Sequence, residues 1–403
     1  MIKLLHFADV HLGAENYGRW DPETGLPIRL MDFLRALDQI VERALAEEVD
    51  LAIFAGDAYQ SRDPTPTYQR EFAARIRRLA QTGTPVVLVA GNHDTPHAIG
   101  RANTIEIFDT LAVENVHVVQ RPRVLALSTK SGPVQVVGLP WIVRSKLLAR
   151  EEYKGLSLEE VNNLITDKIT NIVADLQEGL ISQLETSIPT VFTAHGTVQG
   201  ATYSSERSVM LGREVILPPS LVTNPAFDYV ALGHIHKHQV LHNHPPVVYS
   251  GSIERMDFGE EGERKGFVLA QVESGGAEWG FIPLPVRPFV TIEVEAGGPD
   301  PTAQVIEAIE EEDIGGAVVR LIIHTNAEWE PLLRDEDIRQ ALEPAFHLAA
   351  LVRDVERPTR LRLGGRAAAG LEPEELLKRY LKVKGTRSER AEVLLEHAKS
   401  IFE

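Results

Sequence analysis

Five short apolar runs, each broken at once by a polar cluster, constrain this chain more than anything else in it: KLLHFADVHLG, DLAIFAGDAYQ, PVVLVAGNHD, TVFTAHGTV and YVALGHIHKH. Near-continuous apolar runs of this length suit strands buried on both faces, and in layered α/β folds ligand sites gather just beyond the carboxyl ends of strands. All five polar clusters fall at that end. Helical periodicity fills the intervals, in MDFLRALDQIVERALAEE and PTYQREFAARIRRLAQTG. A longer helix is predicted from Ser157, which forms a capping box with Glu160, and it carries Val161, Leu164, Ile165, Ile169, Ile172, Val173, Leu176 and Leu180 on one face. Strand and helix thus alternate to about residue 240.

At roughly 150 residues per domain, 403 residues predict two or three domains. The proline cluster PLPVRP (Pro283 to Pro288) interrupts the alternation, so the first domain is expected to span 1–286. Residues 287–356, with FVTIEVE, PTAQVIEAIEEED, GAVVRLIIH, DEDIRQALEPAF and HLAALVRDV, read as a compact βαβαβ unit. A basic connector, 357–370, carries Arg357, Arg360, Arg362 and Arg366; such a linker is either solvated or in contact with nucleic acid or a partner. The tail, 371–403, reads as two helices hinged at Gly385, the first with Leu376, Leu377, Tyr380 and Leu381 on one face, the second with Leu394, Leu395, Ala398, Ile401 and Phe402. A hairpin with an apolar stripe either folds back on its own chain or docks on another protein, and the pattern leaves both open.

Composition narrows the chemistry. With 43% hydrophobic and 25% charged residues the chain is of soluble globular type, and its apolar runs are far shorter than the roughly 18 to 20 residues of a membrane span. The start, MIKLLHFADVHLG, is too short in apolar residues for a secretion signal and is interrupted by His6 and Asp9, which predicts a cytoplasmic protein. Without cysteine there are no disulfides and no thiolate metal sites, so any metal must sit on His, Asp, Glu and Asn. The formal charge of −17 argues against a histone-like wrapper of nucleic acid. An acidic pocket that loads divalent metal still meets a phosphodiester through the metals.

Taken singly the clusters are weak, since a D-x-H or an H-x-H arises by chance in a chain with 14 histidines. Together, Asp9 and His11, Asp57, Asn92 with His93 and Asp94, His195, and His234 with His236 supply donors of compatible type from five strand ends, as a pair of divalent ions requires. Their order, DVH, GD, GNHD, AHG and GHIH, resembles the calcineurin-like metallophosphoesterase superfamily. The resemblance implies an α/β fold, a β-sandwich flanked by helices. It implies one ion on Asp9, His11 and His236, a second on Asn92, His195 and His234, and Asp57 bridging both. It gives His93 the task of stabilising or protonating the leaving oxygen, with Asp94 hydrogen-bonded to that imidazole to orient it. Phosphoester hydrolysis is the expected reaction, at two cations that activate water and neutralise the phosphoryl oxygens.

Protein phosphatases of this superfamily usually carry G-D-x-x-D-R-G and G-N-H-E, whereas this chain has GDAYQSRDP and GNHD. HFADVHLG, AGDAYQSRDPTP, YSGSIERMDFGEE and the tail instead look like the nuclease family that joins bacterial SbcD to the meiotic recombination eleven proteins, and the likeness runs over essentially the whole chain. On its residues alone YSGSIERMDFGE is a strand and turn whose Ser250, Gly251 and Ser252 buttress the site. The family resemblance implies a Mn²⁺-dependent nuclease, with Mg²⁺ or Fe²⁺ as alternatives, having 3′–5′ double-strand exonuclease and single-strand endonuclease activity. It implies a cytoplasmic, nucleoid-associated homodimer assembled with two SbcC-type ATPase subunits into a heterotetramer. The 287–356 unit would cap the nuclease and position DNA, with Arg320, Arg353 or the connector arginines as contacts, and the 371–403 hairpin would dock on the ATPase coiled coil. Helices near 65–81 and 100–112 would form the dimer interface; Arg75, Arg77 and Arg78 on the first could equally be a solvated face. One departure stands out: many family members have a histidine three residues after the bridging Asp, and here that residue is Gln60, which cannot act as an acid. Two rival expectations are a small-molecule phosphodiesterase of the same superfamily and a DNA-tethering scaffold with vestigial metals.

Overall fold

A computed structural model describes residues 1–96, 100–143, 157, 160, 164, 168, 171–172, 174–175, 179–204, 215–357 and 372–402. The apolar runs become strands whose successive side chains face different layers. In β1 (Ile2–Phe7), β2 (Leu51–Phe54) and β3 (Val86–Val89) every residue but Lys3 is buried. Ile2, Leu4, Leu51, Ile53, Val87 and Val89 share a core with Val134, Val136, Val191, Tyr229, Ala231 and Val248 of a second sheet. Leu5, Phe7, Ala52, Phe54, Val86 and Leu88 pack on the opposite side with Leu30, Phe33 and Leu37 of α1 (Ile28–Ala46) and Phe72, Ile76 and Leu79 of α2 (Pro66–Ala80). This double burial is why the runs lack polar alternation. Thr65 caps α2 by accepting from the Tyr68 amide, and Pro66 occupies the first helical position.

The remaining strands are β4 (Val116–Val119), β5 (Arg123–Thr129), β6 (Gly132–Leu139), β7 (Thr190–His195), β8 (Thr197–Val198), β9 (Ile216–Leu217), β10 (Tyr229–Gly233), β11 (Gln239–Asn243), β12 (Pro246–Tyr249), β13 (Gly266–Glu273), β14 (Gly276–Pro283), β15 (Phe289–Glu295), β16 (Val318–Asn326) and β17 (His347–Glu356). Two six-stranded sheets, ordered β14-β13-β1-β2-β3-β4 and β11-β12-β10-β7-β6-β5, face each other as a sandwich. Strands β1 to β4 run parallel in the first sheet, and β6, β7, β10 and β12 in the second, so their carboxyl ends align at one edge of each sheet. His6 joins the sheets across the core, one ring nitrogen 3.0 Å from Tyr229 Oη and the other 3.1 Å from the Leu232 carbonyl. Burial lowers its pKa to about 3, so it is a neutral, satisfied core histidine.

The chain divides into two units, one of residues 1–292, 309–321 and 340–351, the other of 293–308, 322–339 and 352–403. The last three strands form a sheet ordered β15-β16-β17, and the division falls within each strand. In the first unit Arg287 grips the Asp32 carboxylate with two bonds of 2.7 Å and lies 3.7 Å over the Phe346 ring. Arg320 stacks at 4.5 Å on Phe258 and donates to Thr291 Oγ1. In the second unit Arg353 pairs with Asp335, and helices α6 (Pro373–Val383) and α7 (Ser388–Phe402) form the hairpin, turned at Gly385 with φ 64°. Most of α4 (Pro301–Glu310) and of α5 (Asp335–Ala341) also lies in that unit, while α3 (Glu106–Thr110) belongs to the first unit. Leu381 and Ala398 are buried, whereas Tyr380, Val393 and Leu394 stay exposed.

Arg75 and Arg78 are not a freely solvated face: both bind the Asp38 carboxylate, tying α2 to α1. Ser157 and Glu160 exchange the capping-box bonds, and Leu164, Ile172 and Leu180 pack against the second sheet's outer core. Val161, Ile165, Ile169, Val173, Leu176, Arg360, Arg362 and Arg366 lie outside the described residues. Among the described residues no helix is long and apolar enough to cross a membrane.

Candidate metal centre

The aligned strand ends deliver their polar residues to one place. Asp9 and His11 follow β1, Asp57 follows β2, Asn92 follows β3, His195 closes β7, and His234 and His236 follow β10. His195 and Gly233 are register neighbours across β7 and β10, which sets His234 beside His195. Three overlapping donor groups result: Asp9, His11 and His236; His11, Asp57 and His93; and Asp57, His195 and His234, with the ligand atoms of each within 4.8 Å of one another. Asn92 Oδ1 completes the last group, 3.0 Å from His195 Nε2 and 2.9 Å from His234 Nδ1. Asp57 lies at the junction, its Oδ2 3.3 Å from His195 Nε2 and 3.7 Å from His11 Nε2, while its Oδ1 accepts from the His93 amide at 2.8 Å.

The local backbone is bent to achieve this. Asp9, His11, Asp57 and His234 all have positive φ, at 53°, 46°, 63° and 101°, a conformation uncommon for non-glycine residues and concentrated at functional sites. Two motif glycines serve close approach. A Cβ on Gly91 would stand 2.1 Å from Asp57 Oδ1, and one on Gly56, itself at φ +105°, 2.2 Å from His195 Nδ1.

The donor set suits cations. His195 Nδ1 lies 2.7 Å from the Ala55 carbonyl, which only accepts, so in the neutral ring the Nε2 lone pair faces Asn92 Oδ1 and Asp57 Oδ2, two further acceptors. A proton or a metal ion at their centre reconciles such a group. Burial disfavours a charged His195, yet the adjoining Asp57 carboxylate raises it to about 9. Burial would likewise raise Asp57, but His195, His93 and His11 around it hold it well below the usual carboxylate range. On the other side His11 Nε2 and His236 Nε2 approach to 3.1 Å, and the buried His11 Nδ1 has no hydrogen-bond partner among the described residues.

His93 and Asp94 do not pair as the sequence suggested. His93 Nδ1 lies 2.6 Å from the Gln60 carbonyl, its ring edge-on to His11 at 4.8 Å. Asp94 is fully buried and accepts from the amides of Asp57, Ala58 and Gly91 and from Thr104 Oγ1. Four nearby donors occupy that carboxylate, so it shapes the loop that carries Asp57. Burial and the Asp57 charge push it up to about 6. The contact of Gln60 with the imidazole runs through its backbone carbonyl, not its side chain.

Two neighbours escaped the sequence reading. Trp141 lies with its ring 5.0 Å from that of His234, held by its amide on the Ala90 carbonyl at 2.8 Å. Glu260 Oε1 lies 2.7 Å from His236 Nδ1 and Glu260 Oε2 2.9 Å from Lys265 Nζ. Ser250, Gly251 and Ser252 do pack beneath the site, Ser252 donating its amide to the His236 carbonyl at 3.0 Å. Glu260, in the same stretch, reaches the site itself.

Residues 2–238 match the calcineurin-like phosphoesterase family, more than half of the chain, and the protein belongs to that family. The family implies a dinuclear metal site, for which the aspartates, histidines and asparagine gathered here are the candidate ligands. Among relatives, the chain is 28% identical to the SbcD component of the SbcCD nuclease of Rhodobacter capsulatus over 77% of its own length and 75% of that protein. It is 28% identical to the corresponding SbcCD nuclease component of Escherichia coli over 69% of its length and 66% of that protein. It is 26% identical to DNA double-strand break repair protein Mre11 of Haloferax volcanii over 82% of its length and 62% of that protein.

Proposed function

We propose that this chain is a two-metal DNA nuclease, the SbcD-type component of an SbcCD-type complex that processes double-strand breaks and hairpins in the cytoplasm. The observation that carries the chemistry is the convergence of Asp9, His11, Asp57, Asn92, His195, His234 and His236 from five strand ends, with Asp57 Oδ2 between His11 and His195. Asp9, His11 and His236 would hold one ion, Asn92, His195 and His234 the other, and Asp57 both. When bound, such a pair supplies Lewis-acid polarisation of the phosphodiester and acidifies the water that attacks it. An all-N/O donor set suits Mn²⁺, with Mg²⁺ and Fe²⁺ as competitors. His93, half-buried and pinned through Nδ1 on the Gln60 carbonyl, turns Nε2 away from that anchor, and as an imidazolium it would be placed to donate the Nε2 proton to the leaving oxygen. Asp94 keeps the Asp57 and Gly91 amides in place rather than acting on the proton.

The relatives' names support DNA as substrate and a place in an SbcCD-type complex. In this reading 1–286 is the nuclease, 287–356 caps it and positions DNA, 357–370 links, and 371–403 docks on the ATPase coiled coil through its exposed Tyr380, Val393 and Leu394. Ile107 and Leu111, exposed at and just beyond α3, offer apolar surface for a homodimer, and two ATPases would complete a heterotetramer. The test is digestion of end-labelled duplex DNA by the purified chain with Mn²⁺, beside bis-p-nitrophenyl phosphate and a cyclic nucleotide. Metal-dependent shortening of DNA, abolished in Asp57→Ala, is expected. Turnover of the small esters alone, with DNA untouched even beside the ATPase, would favour a small-molecule phosphodiesterase.

A further inference from the structure

We propose that the buried pair Glu260–Lys265 is a positioning device for one of the two metal positions, fixing the tautomer and direction of His236. The inference rests on the metal reading above. Glu260 stands at the end of a 3-10 turn, Phe258–Glu260, capped by the Asp257 side chain on the Gly259 amide. Its carboxylate is fully buried and divided between two tasks. Oε1 lies 2.7 Å from His236 Nδ1; Oε2 accepts from Lys265 Nζ and from the Met256 amide, both at 2.9 Å.

A carboxylate only accepts, so this contact puts the hydrogen of a neutral His236 on Nδ1 and leaves the Nε2 lone pair directed at the donor group, 3.1 Å from His11 Nε2. Lys265 matters because an uncompensated carboxylate at this depth is costly. Its side chain is 0% exposed, and besides Glu260 it reaches Glu263 Oε2 at 2.9 Å and the His236 carbonyl at 3.1 Å, so it holds both the carboxylate and the backbone of the residue that carboxylate orients.

One ligand of the other metal position is held differently. His195 is oriented by the neutral Ala55 carbonyl at 2.7 Å. An anionic partner raises the basicity of a ligating imidazole more than a carbonyl does, so the two positions should depend unequally on their surroundings. Loss of the Glu260 charge therefore weakens the ion on Asp9, His11 and His236 and spares the ion on Asn92, His195 and His234.

The experiment is Mn²⁺ titration calorimetry of the full chain and of the double variant Glu260→Leu/Lys265→Met, which removes the acceptor on His236 Nδ1 together with both charges and leaves neither charge buried alone. One of two binding steps is expected to weaken about 10- to 100-fold while the other keeps its wild-type affinity. Unchanged affinity for both steps in a folded variant would overturn the positioning role while leaving the metal site intact. A wild-type chain that takes up no Mn²⁺ would overturn the metal reading, and the inference with it. A measurement on the unaltered protein guards against a variant that fails to fold: long-range ¹H–¹⁵N spectra of the metal-free imidazoles, with His236 assigned by its disappearance in His236→Gln. Protonation on Nδ1 is expected, and protonation on Nε2 alone would refute the proposal.

Discussion

Among the described residues, two clusters of histidine and carboxylate invite comparison, and the one at the strand ends is built like a metal site. At the strand ends of the sandwich, His195 and Asp57 have side chains 0% and 2% exposed, and His195 Nε2 faces two acceptors, Asn92 Oδ1 and Asp57 Oδ2. On the second unit, His324 and Asp354 line a cavity of about 530 Å³ together with Trp329, and Glu293 pairs with the same histidine. There the side chains of Glu293, His324 and Asp354 are 63%, 27% and 70% exposed. His324 spends Nε2 on Glu293 at 2.7 Å and Nδ1 on Asp354 at 3.1 Å. The residue types are the same. The difference is that a ring bonded to a carboxylate at each nitrogen is satisfied as an imidazolium, whereas lone pairs aimed at one point from separate strands are satisfied only by a cation.

The harshest way to break this contrast is at Asp57. Asp57→Asn removes the carboxylate proposed to serve both ions, and nuclease activity is expected to fall to the level seen with chelator, with Mn²⁺ stoichiometry by calorimetry dropping from two to one or none. His324→Ala should leave both quantities unchanged. Wild-type stoichiometry in Asp57→Asn, or a lost Mn²⁺ equivalent in His324→Ala, would erase the distinction.

A smaller effect is expected beside the ligands. His93→Gln keeps the proposed metal donors and removes the proposed proton donor, so kcat should drop about 10²- to 10⁴-fold with Mn²⁺ stoichiometry intact. Loss of a metal equivalent would instead make His93 a ligand, a role its proximity to His11 and Asp57 allows.

How much of this was written in the sequence differs between these same residues. The strands were legible because β1, β2 and β3 are buried on both faces and so carry unbroken apolar runs, and the donors were legible because each follows such a run directly. The task of Asp94 was not. A carboxylate next to an imidazole in sequence serves the ring or the turn equally well, and only the positive-φ turn at Asp57 decides that three amides and a hydroxyl reach it first. Glu260 was hidden for another reason. In DFGEEGER it looks like one of several solvated acids, and its link to His236 exists only after β12 and the following turn bring it back beneath the site. The exposed cluster on β15, β16 and β17 raised no signal because Glu293, His324 and Asp354 lie on separate strands with no motif between them.

Asp94→Ala should therefore act on stability more than on the chemical step. Its removal leaves buried donors unpaired, each costing about 1–3 kcal/mol and not simply additive. Urea unfolding of chelator-treated protein should show the loss, since it does not depend on bound metal. Stability equal to wild type, with activity alone reduced, would return Asp94 to the orientation of His93.

The smallest effect sharpens the other side of the comparison. Hydrogen bonding to Glu293, reinforced by Asp354, raises the pKa of His324 above its ordinary 6.5, so this ring keeps its proton to higher pH when folded than when unfolded. A raised folded pKa means the contribution is complete below the unfolded value and is lost as pH rises through the folded one. The site is open to solvent, so the effect on stability is slight, and the titration itself is the better observable. An NMR titration should place His324 above 6.5, with Glu293→Gln moving it back toward that value. A titration at or below 6.5 in the intact protein would mean that the two carboxylates do not hold the ring as an imidazolium. The cluster on the second unit would then have lone pairs to offer, and the contrast with the strand-end centre would rest on burial alone.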